Sequence, residues 1–210
     1  ETKSRILSFI ENAQDETSDG YLSPGDRIAT FDNDGNLWAE QPMYFQLFFI
    51  LDRVAALAPE RPEWKEEQPF MAVLEHDKDT MKTFGEKELM QLMAATHGGM
   101  TEEEFAATVT EWLEVTKHPE TGMKFTEMTY QPMKELLQAL RDAGFKTYIV
   151  SGGGVSFMRP WVEAVYGIPP EQVVGSRVKV AYEDGGILRR TGEIDLIDDK
   201  AGKPVGIYQV

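Results

Sequence analysis

Asp32 and Asp34 stand one residue apart at the end of the apolar run Ile28–Phe31, in the stretch IATFDNDGNLW, and Gly35 follows them. Two like charges beside a strand that reads as buried are costly unless they do chemistry. Carboxylates at this spacing can share a magnesium ion and keep separate roles. One can attack phosphorus as a nucleophile, while the other protonates a leaving oxygen and later deprotonates water. The alternative is an Asp/Gly-rich turn after a strand.

Two more groups carry related chemistry. In KTYIVSGGG a β-rich run delivers Ser151 onto Gly152 and Gly153, read as a tight turn that opens a helix. A hydroxyl and free backbone amides at such a place suit an anionic oxygen, and a plain helix N-cap is the alternative. In DDKAGKPVGI, Lys203 precedes Pro204 and a helix start, with Lys200 as the competing cation. A lysine beside a phosphate neutralises charge in the transition state, and a solvated charged loop is the alternative. Ser151 is not read as a hydrolase nucleophile, because the Gly-x-Ser-x-Gly elbow is absent. His76, His97 and His118 lie on separate segments without metal-ligand spacing, and they read as surface or helix-end residues.

The elements that must position these groups follow from hydrophobic periodicity. SRILSFIENA places Ile6, Leu7, Phe9 and Ile10 at helical spacing, SPGD is a turn, and residues 28–31 form a short buried strand. From Pro42 the pattern is helical for a long way, through MYFQLFFILDRVAALA, GEKELMQLMAATHGG and TEEEFAATVTEWLEV. Pro42 suits a helix start, and Thr101 with Glu104 has the spacing of a capping box. After Tyr130 come an amphipathic helix ending at Gly144, the run KTYIV, and a second helix in VSFMRPWVEAVYG. A hairpin is expected around Asp184-Gly185-Gly186. Strand, helical insert, helix, strand, helix defines an α/β sheet carrying a helical insertion.

Bulk composition narrows the function classes. The chain has 210 residues, 41% of them hydrophobic and 27% charged, and a net charge of -15. So acidic a surface repels phosphate backbones, which argues against nucleic acid as a partner. The richest apolar stretch is interrupted by Gln46, Asp52 and Arg53, so no membrane-spanning segment is expected. With 0 cysteines, disulfides and cysteine-based zinc sites are excluded. The start at Glu1 fits removal of a signal peptide and a periplasmic or secreted home, with a soluble cytoplasmic protein as the alternative.

The three groups in this order resemble the haloacid dehalogenase-like (HAD) hydrolase superfamily, and are most similar to its phosphoserine-phosphatase-like branch. The resemblance covers residues 28–38 and 130–210, and PMKELLQALRDAGFKTYIVSGG looks like the family's lead into its second motif. It implies a HAD-like Rossmannoid parallel sheet core, residues 1–39 and 125–210, with a helical cap, residues 40–124, inserted after the first strand. It implies a Mg2+-dependent phosphatase acting on a small phosphomonoester, phosphoserine-like, through an aspartyl-phosphate. Asp32 would be the nucleophile and Asp34 the general acid and base. Ser151, with the Gly152 and Gly153 backbone, would bind the phosphoryl oxygens. Lys203, with Lys200 as second choice, would hold nucleophile and phosphate in place. Magnesium would sit on the Asp32 carboxylate, the Asp34 carbonyl and an acidic fourth motif. That motif is expected one helix and one strand after Lys203, past Val210. Asn36 stands where the family usually carries Thr or Val. Trp38, Glu40 and Tyr44 directly follow the catalytic loop and are expected to face the substrate, and Tyr44, Phe45, Phe48 and Phe49 to form cap core. Glu40 would bind an amine or a water, and Arg159 a substrate carboxylate. Their alternatives are an exposed helix-end carboxylate and a salt bridge. A non-catalytic HAD-like binding or scaffold protein, and a phosphotransferase using the same aspartyl-phosphate, are the competing functions.

Overall fold

The structure is a computed structural model and describes residues 1–210, the side chain of Glu86 excepted. Along the chain run α1 (Thr2–Gln14), β1 (Ile28–Phe31), α2 (Phe45–Leu57), α3 (Phe70–Leu74), α4 (Lys78–Met81), α5 (Glu86–His97) and α6 (Glu102–Val115). Then follow α7 (Gln131–Asp142), β2 (Lys146–Gly154), α8 (Val155–Tyr166), β3 (Val173–Glu183), β4 (Ile187–Leu196) and α9 (Gly202–Tyr208).

The sheet has the order β1-β2-β3-β4. β1 pairs with β2 in parallel from Ile28↔Lys146 to Phe31↔Ile149, and β2 pairs in parallel with β3. β4 returns antiparallel to β3 as the expected hairpin. This is the mixed α/β, Rossmannoid arrangement. Both parallel pairings bring strand C-termini to one edge, so the ends of β1 and β2 share a crevice.

The helices form where the sequence supplies periodicity and caps. Thr101 Oγ1 accepts from Glu104 N at 3.1 Å, and Thr101 N donates to Glu104 Oε2 at 2.9 Å, closing the capping box of α6. α7 buries Leu137 and Leu140, and its chain turns at Gly144. One core joins the sheet, α8 and the near face of the insert, through Leu37, Trp38, Phe49, Phe105, Phe157 and Trp161. A second cluster, including Ile50, Val54, Trp64 and Leu92, lies within the insert. The hairpin grips the insert as well: Arg190 Nε donates to His97 O at 3.0 Å, and Arg190 Nη1 lies 2.6 Å from Glu102 Oε1.

Four local expectations are corrected. β1 is not a buried strand: as the edge strand of the sheet it leaves Ile28 53% exposed and Thr30 exposed. α2 begins at Phe45, because Tyr44 holds extended backbone ahead of it, and not at Pro42. SGGG is not a turn: β2 runs through Gly154, and the helix starts at Val155. His97 does end α5, as the helix-end reading has it, but neither His97 nor His118 is a surface residue. They are buried at 2% and 1% exposure among Phe49 and Phe105, and among Phe45, Phe48 and Phe125, where the imidazoles pack as aromatic rings.

Candidate active site

β1 ends at Phe31 and the chain turns at once over Asn33, whose carbonyl accepts from Asn36 N at 3.2 Å and Leu37 N at 2.8 Å. Gly35 completes the turn at φ 69, and a Cβ there would meet the Glu40 carboxyl carbon at 2.8 Å. The turn therefore needs glycine for both conformation and space. Leu37 and Trp38 then plunge into the core, which pins the loop from beneath.

Trp38 does not face a substrate. It is 1% exposed, stacks on Trp161 with ring centroids 4.4 Å apart, and donates its Nε1 hydrogen to Asp34 Oδ1 at 2.8 Å. Burial raises the Asp34 pKa above the ordinary carboxylate value, with the charges of Asp32 and Glu40 adding to it and the indole hydrogen bond opposing it. Asp34 is thus biased toward holding a proton, as a general acid requires. Asn33 points the other way, buried, with Oδ1 accepting from Tyr166 Oη at 3.3 Å.

The end of β2 supplies the second wall. Ser151 pairs with Gly175, but Gly154 pairs with Ser176, so β2 carries extra residues against β3. This bulge leaves Gly152 and Gly153 out of step with the ladder and along the crevice. Gly175 permits the approach: a Cβ on it would lie 2.6 Å from Gly153 O and 2.8 Å from Met158 Cε. Ser176 Oγ donates to Gly152 O at 2.8 Å and accepts from Asp198 N at 2.9 Å, tying the bulge to the segment before α9. Ser151 Oγ accepts from Gly153 N at 3.1 Å, which leaves its hydroxyl hydrogen free.

From the insert, Gln46 Oε1 accepts from Gly154 N at 2.7 Å, while Gln46 Nε2 lies 3.4 Å from His97 Nε2. Thr96 Oγ1 uses its one hydrogen on Leu92 O at 2.7 Å and lies 2.8 Å from His97 Nδ1. That bonding assigns the hydrogen of His97 to Nδ1 and leaves Nε2 to accept from Gln46. Burial, with Arg190 and Arg53 nearby, pushes the His97 pKa down to about 3, in keeping with a neutral ring. Gln46 was absent from the expected site. The signal for it was one polar residue inside the apolar run MYFQLFFI.

Lys203, at the start of α9, closes the third side. Its Nζ lies 2.6 Å from Asp32 Oδ2 and donates to Val150 O at 3.1 Å. Lys200 is exposed and reaches only Asp199, at 3.9 Å. Asp198 is fully buried, neither carboxyl oxygen has a hydrogen-bond partner, and burial raises its pKa.

These groups open on a cleft of about 680 Å³ lined by Asp32, Asp34, Glu40, Gln46, Ser151, Gly152, Gly153, Gly154 and Asp199, among others. Tyr44 also lines it, 59% exposed, and so is not part of the insert's core. Arg159 is not brought here. Its Nε donates to Pro170 O at 2.9 Å and it lines a separate cavity between α6, α8 and the hairpin, because α8 carries it away from the bulge. For a metal, the cleft offers hard oxygen donors on Asp32 and Asp34. Among the described residues no group of three or more His, Cys, Asp or Glu could hold an ion. Magnesium is commonly held by one or two carboxylates with waters and substrate phosphate, and this donor set fits that mode.

A haloacid dehalogenase-like hydrolase family model matches residues 29–204, and the chain belongs to that family. A protein of unknown function from Bordetella pertussis Tohama I is 18% identical, with a TM-score of 0.54, over 87% of this chain and 73% of its own. A functionally unknown protein from Anaerococcus prevotii DSM 20548 is 14% identical, with a TM-score of 0.55, over 99% and 75%. A phosphoserine phosphohydrolase-like protein from Francisella tularensis subsp. tularensis SCHU S4 aligns over 87% and 71% at 17% identity, with a TM-score of 0.41. The first two share the fold. A comparison with curated proteins found no match. Among the described residues no helix is long and apolar enough to cross a membrane.

Proposed function

We propose that this family member is a magnesium-dependent phosphatase that hydrolyses a small phosphomonoester through an aspartyl-phosphate on Asp32. The observation that carries this reading is the 2.6 Å contact between Lys203 Nζ and Asp32 Oδ2, at the mouth of a cleft that also presents Ser151 and the glycine bulge. With Lys203 on one Asp32 oxygen and Asn33 N donating to the other at 2.8 Å, the carboxylate is held in a fixed orientation for attack on phosphorus. The lysine also balances the charge that gathers on the transferring group.

In the first step an Asp32 carboxylate oxygen bonds to phosphorus as the ester oxygen departs, taking its proton from Asp34. In the second, Asp34, now ionised, removes a proton from water, whose oxygen attacks phosphorus and returns the Asp32 carboxylate. The Ser151 hydroxyl and the Gly152 and Gly153 backbone receive the phosphoryl oxygens. Magnesium, held by the Asp32 carboxylate and the Asp34 carbonyl, would supply positive charge against those oxygens. The helices between β1 and β2 act as a cap, and Gln46 fastens that cap to the phosphate end of β2.

The test is turnover of an aryl phosphate by the chain with magnesium and after chelation, beside Asp32→Asn. Activity that needs magnesium and vanishes in Asp32→Asn is expected; equal turnover by Asp32→Asn would overturn the assignment. One observation favours a second reading, a non-catalytic phosphate-binding protein: no cluster of three acidic ligands stands at the cleft among the described residues. That reading requires phosphate-analogue binding without turnover.

A further inference from the structure

In its lining the cleft combines the polar groups at the ends of β1 and β2 with a set of apolar side chains. Leu47, Ile50, Phe84, Leu89, Met90 and Met93 of the insert line it, and Ile194 and Ile197 face them from the hairpin side. Leu89 and Met90 keep 38% and 37% of their surface exposed where they line the cleft, so both are accessible to a bound body. The charged side chains lining the cleft are all carboxylates: Asp32, Asp34, Glu40 and Asp199. Among the described residues no Lys, Arg or His lies among the apolar side chains that line the cleft. Lys203 is committed to Asp32 and to Val150 O, and Arg159 to the Pro170 carbonyl.

We infer that the cleft selects phosphomonoesters whose alcohol part is apolar and carries no second anion, and that it discriminates against carboxylate-bearing esters such as phosphoserine. The phosphate end offers a lysine, a hydroxyl and backbone amides to one anionic group. A carboxylate on the leaving alcohol would lie against apolar side chains, with like charges on Glu40 and Asp199 nearby. It would lose water without gaining a partner, which is how a site rejects a substrate most strongly. An aryl or alkyl body meets the opposite conditions, since the methionines and leucines of α5 adapt to it and bury its surface.

This inference rests on the phosphomonoester reading above, so its test is a binding measurement that needs no turnover. The chain is titrated calorimetrically, with magnesium present, with benzylphosphonate and with its para-carboxy derivative. Benzylphosphonate is expected to bind more tightly by about tenfold or more. Met90→Lys and, separately, Leu89→Lys place a cation on the wall at partly exposed positions. Each is expected to narrow that ratio by strengthening binding of the carboxylated compound. Equal affinities, the reverse preference, failure of benzylphosphonate to bind, or an unchanged ratio in both lysine variants would overturn the inference. Hydrolysis of the matching phosphate esters is followed in parallel. Discrimination in binding without hydrolysis of either ester would count against the phosphatase reading and leave the specificity standing.

Discussion

Trp38 Nε1 donates to Asp34 Oδ1 across 2.8 Å from an indole that is itself buried and stacked on Trp161. The hydrogen bond favours ionised Asp34, while burial and the neighbouring carboxylates favour the protonated form, and the net pKa is raised. Trp38→Phe keeps the aromatic packing and removes the donor. The Asp34 pKa then rises further, so the alkaline limb of kcat/KM, where the acid loses its proton, moves to higher pH. A full pH profile of both proteins checks this. A packing defect alone would lower the plateau and leave the limb in place.

Lys203 and Lys200 lie three residues apart in the chain, yet only Lys203 touches Asp32. Lys203→Met is expected to lower kcat by about a hundredfold or more, the size of losing a preorganised donor to transition-state charge. Lys200→Gln, which removes an exposed side chain, is expected to change kcat by less than about twofold. Steady-state kinetics on both variants decides between them.

Gly175 lets the glycine bulge of β2 lie flat on β3, since an added Cβ would sit 2.6 Å from Gly153 O. Gly175→Ala forces the backbones apart and is expected to cost about 1–3 kcal/mol. That lowers Tm by about 2–4 °C for each kcal/mol. Activity should fall as well, because Gly153 lines the cleft beside Ser151. At Gly25 an added Cβ meets only Ser23 Oγ at 3.9 Å, so Gly25→Ala serves as the neutral control in a thermal melt.

His97 stays neutral when folded, with a pKa near 3 against an ordinary 6.5. Between those values the unfolded chain binds a proton that the native state refuses. Its contribution to stability is therefore complete above 6.5 and is lost as pH falls through the window, by up to about 1.4 kcal/mol for each pH unit. His97→Gln is expected to be less stable at neutral pH and less sensitive to acid across that range. Urea unfolding at stepped pH measures both slopes.

Asp32, Asp34, Ser151 and Lys203 could be proposed from the sequence because each sits where an apolar run meets a polar break, and their order along the chain resembles a known pattern; the fold brings them together. The helices of the insert were legible from periodicity and from the Thr101–Glu104 cap. What sequence did not reveal depends on where side chains point in space. Arg159 follows Ser151 closely in the chain, but α8 turns it toward a different cavity. Trp38 has the look of a substrate-facing aromatic, yet the turn at Gly35 sends it inward to bind Asp34 from below. SGGG has turn composition, yet pairing with β3 keeps it extended as a bulge. His97 and Gln46 lie in different helices and become partners only when the insert folds against the sheet.

The most direct test of the chemistry is to trap the phosphoryl group on the enzyme. The chain is mixed with an aryl phosphate and magnesium, quenched in acid within the first turnover, digested and mapped by mass spectrometry. Aspartyl-phosphate chemistry predicts a phosphoryl adduct on the peptide containing Asp32, labile to hydroxylamine and missing in Asp32→Asn. Turnover with no adduct on Asp32, or an adduct on another residue, would contradict it.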